Sequence, residues 1–517
     1  MLIAVFCFFA KVDHSNTTMK SSLVCLIFTF LVVLISADSN ADTAFINAPS
    51  GPIKGLKLNY PKTGEPLFEF RGIPFAKPPI GPLRFQKTEP LEKRKEVHDG
   101  TKYGHICMQP GIDFIPEPSR PAMSEDCLVL NVYVPRKLQG QKLSVMVWIH
   151  GGGFWIGYGH QYDGGKLAME GNVIIRVIAQ SSVVSRFVLL KDSSVEKFVA
   201  EIAEKSSCPF DDEQIFVDCL REKTADEFLK LSDVFASMPT DKMMFDSLGM
   251  PVVDHELFLE HPIKSLEDKS SAVSHFFRSL DFMAGATSNE GSVLYMMFSP
   301  SFQEHFAFNV TEGIPYRAVC DGILSPFVEL WYANNSNVKD KLCKYYSAES
   351  IVNQSLKATD AWADILFNFA INKMLEYHSG GNTYQYVVSK LSPKPFGGPP
   401  PPWFKGVGHG DELLYFFNIT QFLSLDEEFV LNDKDKDFEK KMISYWTSFA
   451  KTGVPYGGDG SVPWKPYNIE DKHYLDLDDE MALKSNYKPE ILDLWSNQLP
   501  ATDLESATPD NGQRDEL

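Results

Sequence analysis

The chain is short of positive charge. Its 49 lysines and arginines face 68 acidic residues, a net charge of −19. So acidic a surface repels phosphate backbones and anionic lipid heads, which excludes nucleic acid as a partner. Long apolar runs are also missing. The stretch Leu23 to Ile35 falls well short of the ~20 residues that a bilayer-spanning helix needs, and the C-terminus carries no apolar tail, so no transmembrane anchor is expected. No C-x-x-C pair and no nearby histidine pair accompanies the cysteines, which speaks against a zinc site, and no cofactor is expected. There is no internal repeat. Nowhere in the 517 residues does a serine stand in G-x-S-x-G, the strand–turn–helix signature that strains a serine into an exposed nucleophile.

What is present bounds a compartment and a size. The length suits one large α/β domain or two or three smaller ones, and 44% hydrophobic with 13% aromatic residues supplies a core. Residues 1–41 read as a signal-peptide region: Met19-Lys20 is a basic start and candidate initiator, followed by the apolar run and a small-residue cleavage site at Ser39-Asn40-Ala41. Met1 to Ala10 is a second apolar patch, without a basic start, read as an extension upstream of that initiator. Residues 501–517 form an acidic tail ending in Arg514-Asp515-Glu516-Leu517, which resembles the K-D-E-L address. A chance acidic terminus would look similar, but signal and tail agree. Together they point to the endoplasmic reticulum lumen and its retrieval receptor.

Cysteine usage fits an oxidising lumen. Beyond the signal region stand Cys107, Cys127, Cys208, Cys219, Cys320 and Cys343, three sequence-local pairs whose bridges 107–127, 208–219 and 320–343 would each close a short loop. Sequons at Asn309, Asn334, Asn353 and Asn418 suit a glycosylated surface.

The chain is organised around Val145-Met-Val-Trp-Ile-His-Gly-Gly-Gly-Phe154. Its apolar half reads as a buried parallel strand. Three glycines then turn the chain sharply and leave backbone N–H groups uncovered, free to face an anion. A strand followed by His150-Gly151-Gly152-Gly153 is the pattern of a loop that supplies oxyanion donors; the plainer alternative is a tight turn with no ligand.

Other segments carry a resemblance. They are Phe68-Glu-Phe-Arg-Gly72-Ile-Pro-Phe-Ala-Lys-Pro78-Pro79, Ser124-Glu125-Asp126-Cys127-Leu128 with Leu130-Asn131-Val132, Gly285-Ala-Thr-Ser-Asn-Glu290-Gly291, Gly406-Val-Gly408-His409-Gly410-Asp411-Glu412-Leu413 and Tyr445-Trp446-Thr-Ser-Phe449. In this order they resemble the type-B carboxylesterases, the family that includes the cholinesterases, from about residue 45 to 497. The resemblance implies an α/β-hydrolase fold, a mostly parallel central sheet flanked by helices, over residues 42–500. It implies a small-molecule ester as substrate, cleaved through an acyl-enzyme. By the same resemblance His409 is the general base, Glu290 the acid that orients it, and Gly152 and Gly153 are oxyanion donors. Without it, His409 would be read as a solvated loop histidine and Glu290 as a surface turn residue.

One departure is large. Gly171 to Ile175 reads as a sheet strand, yet it runs straight into Arg176-Val-Ile-Ala-Gln180-Ser181-Ser182, which resembles a strand that the family places downstream. Roughly a hundred family residues between them, the elbow strand and its helix included, are absent at 175/176. Ser181, Ser182 and Ser185 lie nearby as substitute nucleophiles, but nothing in the sequence aims them. Losing the serine of a triad costs on the order of 10⁶ in kcat, and losing one oxyanion donor ~10² to 10³. The chain is therefore expected to be catalytically impaired, a truncated form of an esterase; the alternative is a non-catalytic, hydrolase-like protein that binds a ligand or another protein. Removing a central strand also leaves backbone groups unpaired, which predicts a weakly stable chain.

Overall fold

The computed structural model describes residues 3–5, 42–110, 121–135 and 145–500, the last stretch without 155, 171–175, 183, 186, 188, 232–240, 242, 244–249 and 419–429. The leader beyond residue 5, the acidic tail and the strand read at 171–175 lie outside the described residues.

Two sheets carry the fold. The first is mostly antiparallel and is built from β2 (Thr43–Ala48), β3 (Gly51–Asn59), β4 (Pro66–Pro74) and β6 (Val129–Pro135) in that order, with β5 (His98–Asp99) parallel to β3. Burial alternates along β3, as one sheet face packing on a core requires. That core holds Ala44, Ile53, Phe68, Phe70 and Ile73.

The second sheet has the order β1-β7-β8-β9-β10-β11, with β1 (Ile3–Val5), β7 (Val177–Gln180), β8 (Phe282–Thr287), β9 (Thr383–Val388), β10 (His473–Leu477) and β11 (Ala482–Ser485). β7 to β10 are mutually parallel; β1 and β11 are antiparallel at the two ends. Every residue of β7, β8 and β9 is buried, because helices cover both faces. Side chains alternate between these faces. Ile178, Met283, Tyr384 and Tyr386 meet the helix Asp433–Thr452 through Phe438, Met442, Tyr445, Trp446 and Phe449. Val177, Phe282, Ala284 and Ala286 meet Ile371, Met374 and Leu375 on the other side. The helical spacing of Trp362, Ile365, Leu366 and Phe369 is realised in one continuous helical run from Ile351 to His378, stopped before Gly380-Gly381 and interrupted by a π-turn at Asp364–Asn368.

One expectation fails. Residues 145–150 form no strand, and Val145 and Ile149 are exposed at 37% and 45%. A buried parallel strand exists only if neighbours pair with it. After residue 176 the chain passes into β7, which takes the place beside β8, and among the described residues no strand pairs with 145–150.

The three disulfides 107–127, 208–219 and 320–343 are formed. All four sequon asparagines are exposed. Among the described residues no helix is long and apolar enough to cross a membrane.

Candidate active site

The C-terminal ends of β7 and β8 converge on one carboxylate. Glu290 begins the tight turn after β8 and is wholly buried. Its Oε1 accepts hydrogen bonds from the Thr287 N–H at 2.6 Å and from the Ser181 hydroxyl at 2.5 Å, and its Oε2 accepts from His409 Nδ1. Burial alone would push this carboxyl up, but His409, Ser181 and the Thr287 amide outweigh it and hold it below its ordinary range. Glu290 is therefore an anion at neutral pH.

His409 arrives on the proline- and glycine-rich loop 395–410. Its own N–H donates to Ser292 Oγ at 2.8 Å, and the loop is closed by Asp411, which accepts from the N–H groups of Gly408 and Phe396 at 2.7 Å each. Phe367, inside the π-turn, lies 5.0 Å from the imidazole, centroid to centroid; such turns cluster at functional sites. Because Nδ1–H donates to Glu290, Nε2 is left as the proton acceptor. That atom is buried and has no hydrogen-bond partner among the described residues.

The serines do not complete this pair. Ser181 sits at φ +50°, the left-handed backbone of a strained elbow, but its hydroxyl goes to Glu290. Ser182 Oγ is buried without a partner among the described residues, and Ser185 Oγ accepts from the Phe187 amide at 3.2 Å. None of the three is hydrogen-bonded to His409.

The glycine loop is built as tightly as its sequence implies. Gly152 has φ +130°, and a Cβ there would lie 1.6 Å from the Ile156 carbonyl oxygen, so only glycine fits. Gln109 clamps the loop's far side, donating to the Gly157 carbonyl and accepting from its N–H. Trp148 packs on Phe417, in the turn after His409, with ring centroids 4.5 Å apart and the rings tilted by 53°. Among the described residues no hydrogen bond joins Gly152 or Gly153 to Glu290 or His409.

Sequence reasoning missed Glu412. It follows His409 by three residues, so a single helical turn places it on the same side, and the Gly-Asp-Glu after the histidine was the available signal. Glu412 is buried and accepts from Gln180 Nε2 at 3.4 Å, and its Oε2 has no partner among the described residues. Gln180 is itself held by Trp446 Nε1–H at 3.1 Å. Burial, then the charge of Glu290, pushes Glu412 up to about 8. Asp411 is pushed up to about 6, chiefly by burial. At neutral pH the site thus holds an ionised Glu290 beside a protonated Glu412. Among the described residues no group of three histidines, cysteines or carboxylates is placed to hold a metal ion.

A mostly parallel sheet with a turn-borne glutamate after one strand and a loop-borne histidine paired to it is an α/β-hydrolase. The carboxylesterase family model matches residues 42–176 and 175–495, and the chain belongs to the carboxylesterase family. Similar proteins include "Fatty acyl-CoA hydrolase precursor, medium chain" of Anas platyrhynchos, 26% identical over 92% of this chain and 96% of that protein. "Acylcarnitine hydrolase" of Mus musculus is 25% identical over 92% and 95%, and "Cocaine esterase" of Homo sapiens 25% over 87% and 90%. The alignment with the Anas protein runs to 578 positions, more than the 517 residues of this chain.

Proposed function

We propose that this chain is a carboxylesterase-family protein of the secretory pathway, held in the endoplasmic reticulum by its RDEL terminus, in which His409 is the general base, Glu290 its orienting acid and Gly152 and Gly153 the oxyanion donors, but in which no serine serves as nucleophile. The observation that carries this reading is the state of His409: among the described residues its Nε2 meets no hydroxyl, while Ser181 spends its hydrogen on Glu290. The family match breaks at 175/176, and the Anas alignment is longer than this chain. Both support an internal deletion at that junction within a domain spanning 42–500. The exposed sequons and the three disulfides support a lumenal setting.

Such a chain keeps a base and part of an anion cradle but cannot form the acyl-enzyme, since no hydroxyl is aimed at the ester carbonyl. Small or lipid-like esters are the ligand class that the family reading implies. A fluorophosphonate probe tests it: the purified chain should stay unlabelled and should turn over an aryl acetate no faster than buffer. Labelling or turnover abolished by Ser181→Ala, Ser182→Ala or Ser185→Ala would refute it.

A further inference from the structure

The three bridges are not equally reachable. Of the six cysteines they join, only Cys107 is exposed; Cys127 and Cys219 are half-buried, and Cys208, Cys320 and Cys343 are buried. Thiol–disulfide exchange begins with a thiolate reaching a sulfur, so access places 107–127 first in line. Two residues beyond Cys107 stands Gln109, which is buried. Its Nε2 donates to the Cys107 carbonyl at 3.1 Å and to the Gly157 carbonyl at 3.2 Å, and its Oε1 accepts from the Gly157 N–H at 2.8 Å. We propose that the 107–127 bridge is a redox switch for the glycine loop. Closed, it keeps Gln109 on Gly157 and the loop in shape; opened by a thiol reductant, it lets the loop relax.

Gly157 is the point at which the hold acts. Its φ is +109°, and a Cβ on it would lie 2.4 Å from the Gly151 carbonyl oxygen and 2.7 Å from His150 Nδ1, so it is pressed against the loop's first residues. One residue earlier, the Ile156 N–H donates to the Gly152 carbonyl at 3.0 Å. Gln109 therefore grips the residue that closes the turn 151–157. The bridge spans 20 positions and ties Cys107 to Cys127, two residues before β6. Opening it returns conformational freedom to the segment beside Gln109, and an amide that must satisfy three hydrogen bonds at once is then ordered less of the time. Backbone bonds from Ile106 to Ala122 and Ser124 remain, so the segment loosens without leaving.

The step needs two thiols or one dithiol. A thiolate attacks Cys107 Sγ and forms a mixed disulfide, and Cys127 leaves as a thiolate that takes up a proton. A second thiol then resolves the mixed disulfide, freeing the Cys107 thiol and releasing the reductant as its own disulfide. The coupling from bridge to loop rests on geometry alone. Only its consequence, a looser anion cradle, rests on the reading of Gly152 and Gly153 as oxyanion donors.

Amide-resolved hydrogen exchange on the purified full chain tests this, before and after mild dithiol treatment and alkylation, with peptide masses showing which bridges have opened. Gly157 reports the Gln109 hold and Ile156 the closed turn. Ser288, whose N–H donates to the Val388 carbonyl at 2.9 Å, reports the sheet. Cys107 and Cys127 should be alkylated before the other four. Exchange at Gly157 and Ile156 should then speed about tenfold, with Ser288 unchanged. Gln109→Met, which fills the same space without hydrogen bonds, should exchange quickly at both loop amides from the outset and respond no further to reduction. If that variant does not fold, Gln109→Asn, shorter by one methylene, serves the same comparison. Earlier opening of 208–219 or 320–343, loop amides that stay protected once 107–127 is open, or an equal response to reduction in the Gln109 variant would each overturn the proposal. Labelling by the fluorophosphonate probe would refute the functional reading and leave these exchange results standing.

Discussion

Replacing Glu412 by glutamine should stabilise this protein, and by an amount that depends on pH. The carboxyl is wholly buried, and burial, then the Glu290 charge, pushes it from an ordinary 4.5 up to about 8. The folded state therefore binds a proton that the unfolded state releases between those two values. Below about pH 4.5 both states are protonated and Glu412 costs nothing. As pH rises toward 8 the unfolded chain gains the freedom to ionise and the folded chain does not, so stability is lost across this window. Above 8 the loss is complete, about 5 kcal/mol from the separation of the two values, and near pH 7 it is about 3 kcal/mol. Glutamine keeps an oxygen to accept from Gln180 and a donor in place of the acid hydrogen, but never ionises. Urea unfolding of the parent and Glu412→Gln at pH 5 and pH 8 should give similar stabilities at the lower pH and a variant several kcal/mol more stable at the higher one. Asp411 and Asp364, each pushed up to about 6 by burial, are common to both proteins and cancel in the difference. A difference that does not change between pH 5 and 8, or a variant weaker at pH 8, would refute the assignment of Glu412 as a neutral buried acid.

Three further outcomes are expected. Arg84 forks onto both oxygens of Glu125 at 2.6 Å and also donates to the Leu220 and Lys223 carbonyls, so Arg84→Ala should cost about 3–5 kcal/mol in urea unfolding; Arg84→Lys should recover little, because an ammonium cannot make that fork. Gly291→Ala puts a Cβ 1.7 Å from the Thr359 carbonyl oxygen and should lower the melting temperature through ~1–3 kcal/mol of overpacking, read by calorimetry. Replacing Cys320 and Cys343 together by serine opens a loop spanning 23 positions and should cost about 3 kcal/mol in denaturant unfolding under non-reducing conditions.

Much of this molecule was legible in one dimension. β8 (FMAGAT) and β9 (TYQYVV) carry mostly apolar and aromatic residues, and Gly380-Gly381 follows the helix end at His378, because burial on both faces and glycine's conformational freedom act locally. The three bridges followed from short sequence separations, and the pairing of Glu290 with His409 from the resemblance to the type-B carboxylesterases. What local pattern could not decide was the fate of groups that need distant partners. Val145–His150 has a strand's composition but, among the described residues, no strand paired with it, and a ladder is a property of neighbours. The hydroxyl of Ser181 goes to Glu290 because β7 and β8 end side by side, which nothing within either segment reveals. Glu412 is protonated at neutral pH only because β7, the Asp433–Thr452 helix and Glu290 enclose it. The sequence by itself determined which cysteines join and to which family's chemistry the chain is related. The tertiary structure decided which strand stands at the edge and which carboxyl carries the proton, since both depend on what the rest of the chain brings within reach.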